Sequence, residues 1–136
     1  MNLDQGKPMF CALLVDSHVS YRQALSDVLF VYFPSLGVDE AGDADEAQQK
    51  VDYQRPNIIF MEIDLPGKSG LVLTKEIKQV YSDIEIIILT TSNQPKCRQQ
   101  ALRCGADFYI SKQNDFYMEE ILTRIEEAMG GRKQHS

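Results

Sequence analysis

No stretch of this sequence approaches the roughly 20 consecutive apolar residues that a membrane-spanning helix requires. The N-terminus, MNLDQGKPM, lacks the charged segment and apolar core of a secretory leader, so a cytoplasmic location is expected. Cysteine is scarce, and Cys11, Cys97 and Cys104 make an odd count, which argues against a disulfide framework. Cys97 and Cys104 fall on one expected helix, about 10 Å apart at 1.5 Å per residue. That is too far for a disulfide within an intact helix, so free thiols are expected. An excess of basic charge is also missing: 14 Lys and Arg stand against 20 Asp and Glu, for a formal charge of -6. Such a chain is not built to bind a nucleic-acid backbone over a broad surface. No internal repeat or low-complexity segment divides it, and 136 residues suit a single core.

What is present is an alternation. Phe10 to Val15 (FCALLV), Asn57 to Ile63 (NIIFMEI) and Ile84 to Leu89 (IEIIIL) are short continuous apolar runs, which suit strands buried on both faces. Leu36 to Ala41 and Asp107 to Ile110 are weaker strands. Between them, helical spacing places Tyr21, Ala24, Leu25, Val28 and Leu29 on one face, then Ala44, Ala47 and Val51, then Leu73, Ile77 and Val80. Pro95 suits a helix start, and Gly105 the cap at that helix's end. Asp115 is the expected N-cap of a last helix carrying Ile121, Leu122, Ile125, Ala128 and Met129, with Gly130-Gly131 ending it. Strand and helix thus alternate five times, which calls for a parallel sheet covered on both sides. The expected organisation is an extension over 1–8, one domain over 9–129 and a tail over 130–136.

In an open parallel sheet, ligands bind beyond the carboxyl ends of the strands. Those ends carry Asp16 and Ser17, Glu62 and Asp64, Thr90 and Thr91, and Ser111 and Lys112. One rim therefore gathers three carboxylates, several hydroxyls and an ammonium. Carboxylates gathered this way suit magnesium. The hydroxyl and the ammonium suit the oxygens of a phosphoryl group.

LLVDSHVSYRQAL, RPNIIFMEIDLPGKSGL, IIILTTS and CGADFYISK, in this order and spacing, resemble the receiver domains of bacterial response regulators in two-component phosphorelay signalling. The resemblance covers Phe10 to about Met129. It implies a flavodoxin-like (βα)5 fold with strand order 2-1-3-4-5 and a signalling module, not an enzyme. It implies that Asp16 and Glu62 hold the metal, with Asp64 a further candidate ligand, and that Glu62 stands at the phosphoacceptor position. Thr90 matches the switch hydroxyl, Tyr109 the aromatic that reports the switched state, and Lys112 the lysine that pairs with the phosphoryl group. Pro66 and Gly70 match the loop after the acceptor. The implied partner is a sensor histidine kinase or another signalling protein. A homodimer through the fourth helix, last strand and last helix, where Lys96, Arg98 and Arg103 lie, is also implied. Neither membrane nor direct nucleic-acid binding is expected.

Three residues depart from the family pattern. The acceptor lies four residues before Pro66 and eight before Gly70, which selects Glu62 in place of the usual aspartate. Ser17 replaces the second acid of the first turn, and Gln113 replaces the proline after the lysine. A cis bond before a non-proline residue costs about 2.5–4 kcal/mol, so a trans bond or a shifted loop is expected there. The extra methylene of glutamate moves the carboxylate by about 1.5 Å, and a displacement of that order costs around 100-fold in a phosphoryl-transfer rate. Ser17 removes a negative ligand, so magnesium binding is expected to be weakened. Glu62 also reaches further, toward Lys112 and Thr90, and could hold part of the switched state permanently. Three outcomes follow: constitutive signalling, a scaffold, or residual phosphotransfer to Glu62 or Asp64. His18 is expected to face solvent, as is the acidic stretch Asp39 to Glu46. A haloacid-dehalogenase-type phosphatase would need an aspartate two residues after Asp16, where His18 stands. A flavodoxin-type flavin site would need a glycine in DSHVSYR, which has none.

Overall fold

A computed structural model describes residues 10–134, with side chains through residue 130. Five strands and five helices alternate: β1 (Cys11–Val15), α1 (Val19–Tyr32), β2 (Gly37–Ala41), α2 (Ala44–Gln54), β3 (Ile58–Met61), α3 (Gly70–Val80), β4 (Glu85–Thr90), α4 (Pro95–Arg103), β5 (Phe108–Ser111) and α5 (Tyr117–Gln134). All pairings are parallel, and the order is β2-β1-β3-β4-β5. The sheet is therefore the expected doubly wound one. The runs read as doubly covered strands are buried along their lengths, from Ile58 through Met61 and from Ile86 through Thr90. Among the described residues, no helix is long and apolar enough to cross a membrane.

Alternation along each strand divides the core into two layers. Leu13, Val15, Ile59, Met61, Ile86 and Ile88 face α2, α3 and α4, where Val51, Ile77 and Ala101 meet them. Ala12, Leu14, Ile58, Phe60, Ile87 and Leu89 face α1 and α5, where Leu25, Leu29, Ile121 and Ile125 meet them. Edge strand β2 is only half-buried over most of its length.

Several boundaries differ from the sequence reading. The third strand stops at Met61, so Glu62 lies just past its end. Val80 is 70% exposed, not inward; Tyr81, four residues after Ile77, packs on the core in its place. Ala24 is likewise exposed. The last helix runs through Gly130-Gly131 to Gln134. Glycine costs about 1 kcal/mol per helix position, and a helix already anchored by Ile121 and Ile125 carries that cost. The expected extension over 1–8 and residues 135–136 lie outside the described residues. The side chain that engages the start of α5 is Asn114, not Asp115: it accepts from the Phe116 amide and donates to Glu120. The acidic stretch is neutralised locally, Asp39 and Glu46 by Lys50 and Glu40 by Arg22. Cys97 and Cys104 are free thiols, and all three cysteines are half-buried.

One glycine controls how the third helix meets the sheet. A Cβ on Gly70 would stand 2.0 Å from the Glu62 carbonyl oxygen, and backbone cannot move aside as a flexible side chain would. Gly70→Ala is therefore expected to destabilise the domain by about 1–3 kcal/mol and to displace Glu62. Urea unfolding measures the first effect and the amide spectrum of residues 61–64 the second.

Candidate functional site

The switch in strand order builds the site. β1 and β3 are neighbours, with Val15 opposite Met61, so the next residues, Asp16 and Glu62, leave the sheet side by side. Their backbones are held by Asp16 N–H to the Ala41 carbonyl at 3.0 Å and Glu62 N–H to the Val15 carbonyl at 2.9 Å. Both residues are buried. From the far side, Thr90 pairs with Ser111 in the β4–β5 register, and the Lys112 N–H donates to the Thr90 carbonyl at 2.7 Å. That turns the lysine inward.

The Lys112 ammonium lies between the two acids, 3.1 Å from Asp16 Oδ2 and 3.3 Å from Glu62 Oε1. The second oxygen of each carboxylate is satisfied locally. Asp16 Oδ1 accepts the His18 N–H at 2.8 Å and lies 2.9 Å from His18 Nδ1. Glu62 Oε2 accepts the Ile63 N–H at 2.7 Å. Burial alone would raise the Asp16 carboxyl. The His18 amide, the His18 ring and the Lys112 ammonium outweigh that and hold it below its ordinary value.

Two residues at this site were not assigned to it from sequence. His18, expected in solvent, is indeed exposed but joins the site through Asp16. The signal for it was present, because an aspartate often accepts the N–H two residues on. Tyr21 was assigned to the core stripe of the first helix. It packs there, but its ring also faces the Lys112 ammonium, 3.9 Å from the centroid, within cation–π range. Burial, reinforced by the neighbouring Tyr117 hydroxyl and by the charges of Asp16 and Glu62, keeps the Tyr21 hydroxyl protonated well above the usual tyrosine range.

The remaining expected residues divide. Thr90 is buried beside the site, but Glu62 makes no hydrogen bond to it; of the two contacts expected for Glu62, only the one to Lys112 forms. Tyr109 is buried, and its hydroxyl donates to the Ser92 carbonyl at 2.6 Å. Burial raises its pKa. Gln113 follows a trans peptide bond, and its side chain donates to the Thr91 carbonyl at 2.6 Å, fastening the ends of β4 and β5. Ser17 is half-buried, and Asp64 is exposed in the loop before Pro66.

Magnesium takes oxygen ligands and usually keeps several waters, with one or two carboxylates from the protein. Asp16 and Glu62 are the residues that could hold it. Among the described residues, no group of three or more His, Cys, Asp or Glu side chains is gathered for a metal, and Lys112 already occupies one oxygen of each acid. The donor set thus fits a hydrated ion on two carboxylates, not an all-protein cage.

Residues 12–126 match the family model of the response regulator receiver domain. The chain is similar to the transcriptional activator protein ExaE of Pseudomonas putida, 35% identical over 100 residues, which cover 74% of this chain and 47% of that protein. It thus spans about half the length of the curated relatives it matches. A LuxR-family two-component response regulator from Aurantimonas sp. SI85-9A1 is similar in structure, with a TM-score of 0.78 at 30% identity over 89% of this chain and 85% of that one. A CheY-like receiver domain protein from Methanospirillum hungatei JF-1 shares the fold, with a TM-score of 0.80 at 22% identity over 93% and 98% of the two chains.

Removing the central cation has a defined consequence. Lys112→Met leaves two buried carboxylates facing each other, and breaking a buried ion pair from one side costs on the order of 3 kcal/mol. Urea unfolding near neutral pH reads this loss. The folded Asp16 carboxyl lies below its unfolded value of 3.8. It therefore contributes stability above that value, which is lost as pH falls through the folded value. In Lys112→Met the Asp16 carboxyl is expected to titrate higher by NMR, and its share of the acid-dependent loss of stability is expected to shrink.

Proposed function

The chain belongs to the response regulator receiver domain family, the signalling module of two-component systems, and from that premise we propose that it signals through protein contacts with little or no phosphorylation. The observation that carries this reading is the Lys112 bridge between Asp16 and Glu62, and in this reading Glu62 stands where the family has its acceptor aspartate. Phosphoryl transfer demands an acceptor held in line with its donor and a metal that neutralises the transferred charge. The Glu62 carboxylate reaches further than aspartate would, and the metal side has lost one charge to Ser17. Asp16 and Glu62 would hold a magnesium ion, which when bound neutralises charge at the acceptor; the bridge weakens that binding. Meanwhile Glu62 already engages Lys112 with its own negative charge, and Tyr109 is already turned inward. These two features support a permanently held signalling state. A conventional receiver using Glu62 or Asp64 is the alternative, and the exposure of Asp64 does not favour it.

The proposed partners are proteins: a histidine kinase, of the kind the family works with, or another signalling protein. A second copy is also proposed, through α4, β5 and α5. Lys96, Arg98 and Arg103 make α4 basic, and Glu119 and Glu120 make the start of α5 acidic. The apolar side chains of Leu102, Phe108 and Phe116 are exposed between them. A two-fold pairing would set each basic helix against the acidic one of its partner.

Incubation with acetyl phosphate and magnesium, followed by intact mass measurement and peptide mapping, tests the main reading. No phosphoryl adduct is expected on the wild-type chain, whereas the double variant Ser17→Asp with Glu62→Asp is expected to gain phosphorylation by around 100-fold. An adduct on wild-type Glu62 or Asp64 would establish the conventional reading instead. Sedimentation velocity addresses the pairing: a dimer is expected that dissociates in Phe116→Asp.

A further inference from the structure

The Lys112 bridge lies just past the strand ends, and its contacts toward the two core layers are unequal. Toward α2, α3 and α4 the route through Thr90 is open-circuited. Glu62 does not bond Thr90, and the Tyr109 hydroxyl is committed to the Ser92 carbonyl. Toward α1 and α5 the contacts are continuous. The ammonium faces the Tyr21 ring at 3.9 Å, and the Tyr21 hydroxyl lies 3.5 Å from the hydroxyl of Tyr117, the first residue of α5. Tyr21 and Tyr117 both pack on the same core layer, whereas Tyr109 belongs to the other.

The ring contact has a physical reason. A lysine between two acids keeps a third direction open for its remaining N–H donors and its charge. The negative face of an aromatic ring satisfies that direction without adding a charge that would compete with Asp16 or Glu62. The hydroxyl contact, at the outer limit of hydrogen-bond range, is soft. It tolerates small displacements and so suits a transmitted movement better than a rigid brace.

We propose that Tyr21 is the positioning residue of the Lys112 bridge and passes its state to Tyr117, so that this domain reports on its α1–α5 side. The proposal rests on the bridge described under the proposed function, but not on whether Glu62 accepts a phosphoryl group. A change of charge or occupancy at Glu62 moves the ammonium, the ammonium moves the ring, and the ring moves the first turn of α5. Tyr21 makes no hydrogen bond to Glu62; its ring contact is to Lys112, and it acts through that lysine.

NMR on the intact chain tests this at two points. The ε-methylene protons of Lys112 should be displaced upfield by the Tyr21 ring current in the wild type and in Tyr21→Phe. In Tyr21→Leu that displacement should be lost. Separately, Glu62→Gln should shift the amides of Tyr117 to Ile121, and this response should be lost in Tyr21→Leu and reduced in both Tyr21→Phe and Tyr117→Phe. An undisplaced Lys112 in the wild type overturns the positioning role. An α5 response that is absent in the wild type, or equal in all backgrounds, overturns the route. Equality would mean that the covalent loop from Lys112 to Tyr117 carries the change. Unchanged β-sheet amides certify that each variant is folded. Labelling with acetyl phosphate is a separate measurement, so the phosphorylation reading and this route fail independently.

Discussion

Two carboxylates buried at neighbouring strand ends repel each other and lose their hydration, a combination tolerated only when a cation is held between them. Lys112 is that cation. Its position depends on parts of the chain far apart in sequence: the β1–β3 pairing that sets Asp16 beside Glu62, the β4–β5 register that turns the lysine inward, and Gly70, which lets α3 close against the Glu62 backbone. The site is less a pocket lined by residues than an ion triad that three strand ends converge to make.

A glutamate in this triad changes its balance without dismantling it. The longer side chain still finds Lys112, and its second oxygen finds the Ile63 amide. The bridge therefore forms with a carboxylate that stands one methylene further from its backbone than an aspartate's would. It does not extend to Thr90, so the added length bends toward the lysine and the local backbone and not toward the hydroxyl. The neutral Ser17 reinforces this. It adds no third carboxylate beside Asp16 and Glu62, so the single ammonium has two acids to balance.

The fold was readable because its signals are local and redundant. IIFM and EIIILT are too apolar for anything but doubly covered strands, and Pro95 and Gly105 punctuate the helix between β4 and β5. Asp16, Glu62, Thr90 and Lys112 were readable as rim residues because a strand end is a position in sequence. The roles of His18, Tyr21 and Gln113 were not. Each depends on where a side chain points after the strands have paired: His18 back onto Asp16, Tyr21 onto Lys112, Gln113 across to Thr91. Tyr21 is the clearest case, since the periodicity that placed it in the core was right and concealed its second contact. The end of α5 was misread for the opposite reason. A pair of glycines is a strong local stop, but anchorage in the core outweighs it.

By itself the sequence determined the doubly wound architecture and the strand ends that carry charge. Periodicity, turn chemistry and residue identity encode these directly. Only the tertiary structure decided which charges meet. It joined Lys112 to both acids across 96 and 50 residues of chain, left Asp64 outside, and laid the Tyr21 ring on the ammonium. The reason is that an ion pair's strength depends on separation and burial in space, and neither is a property of position along the chain.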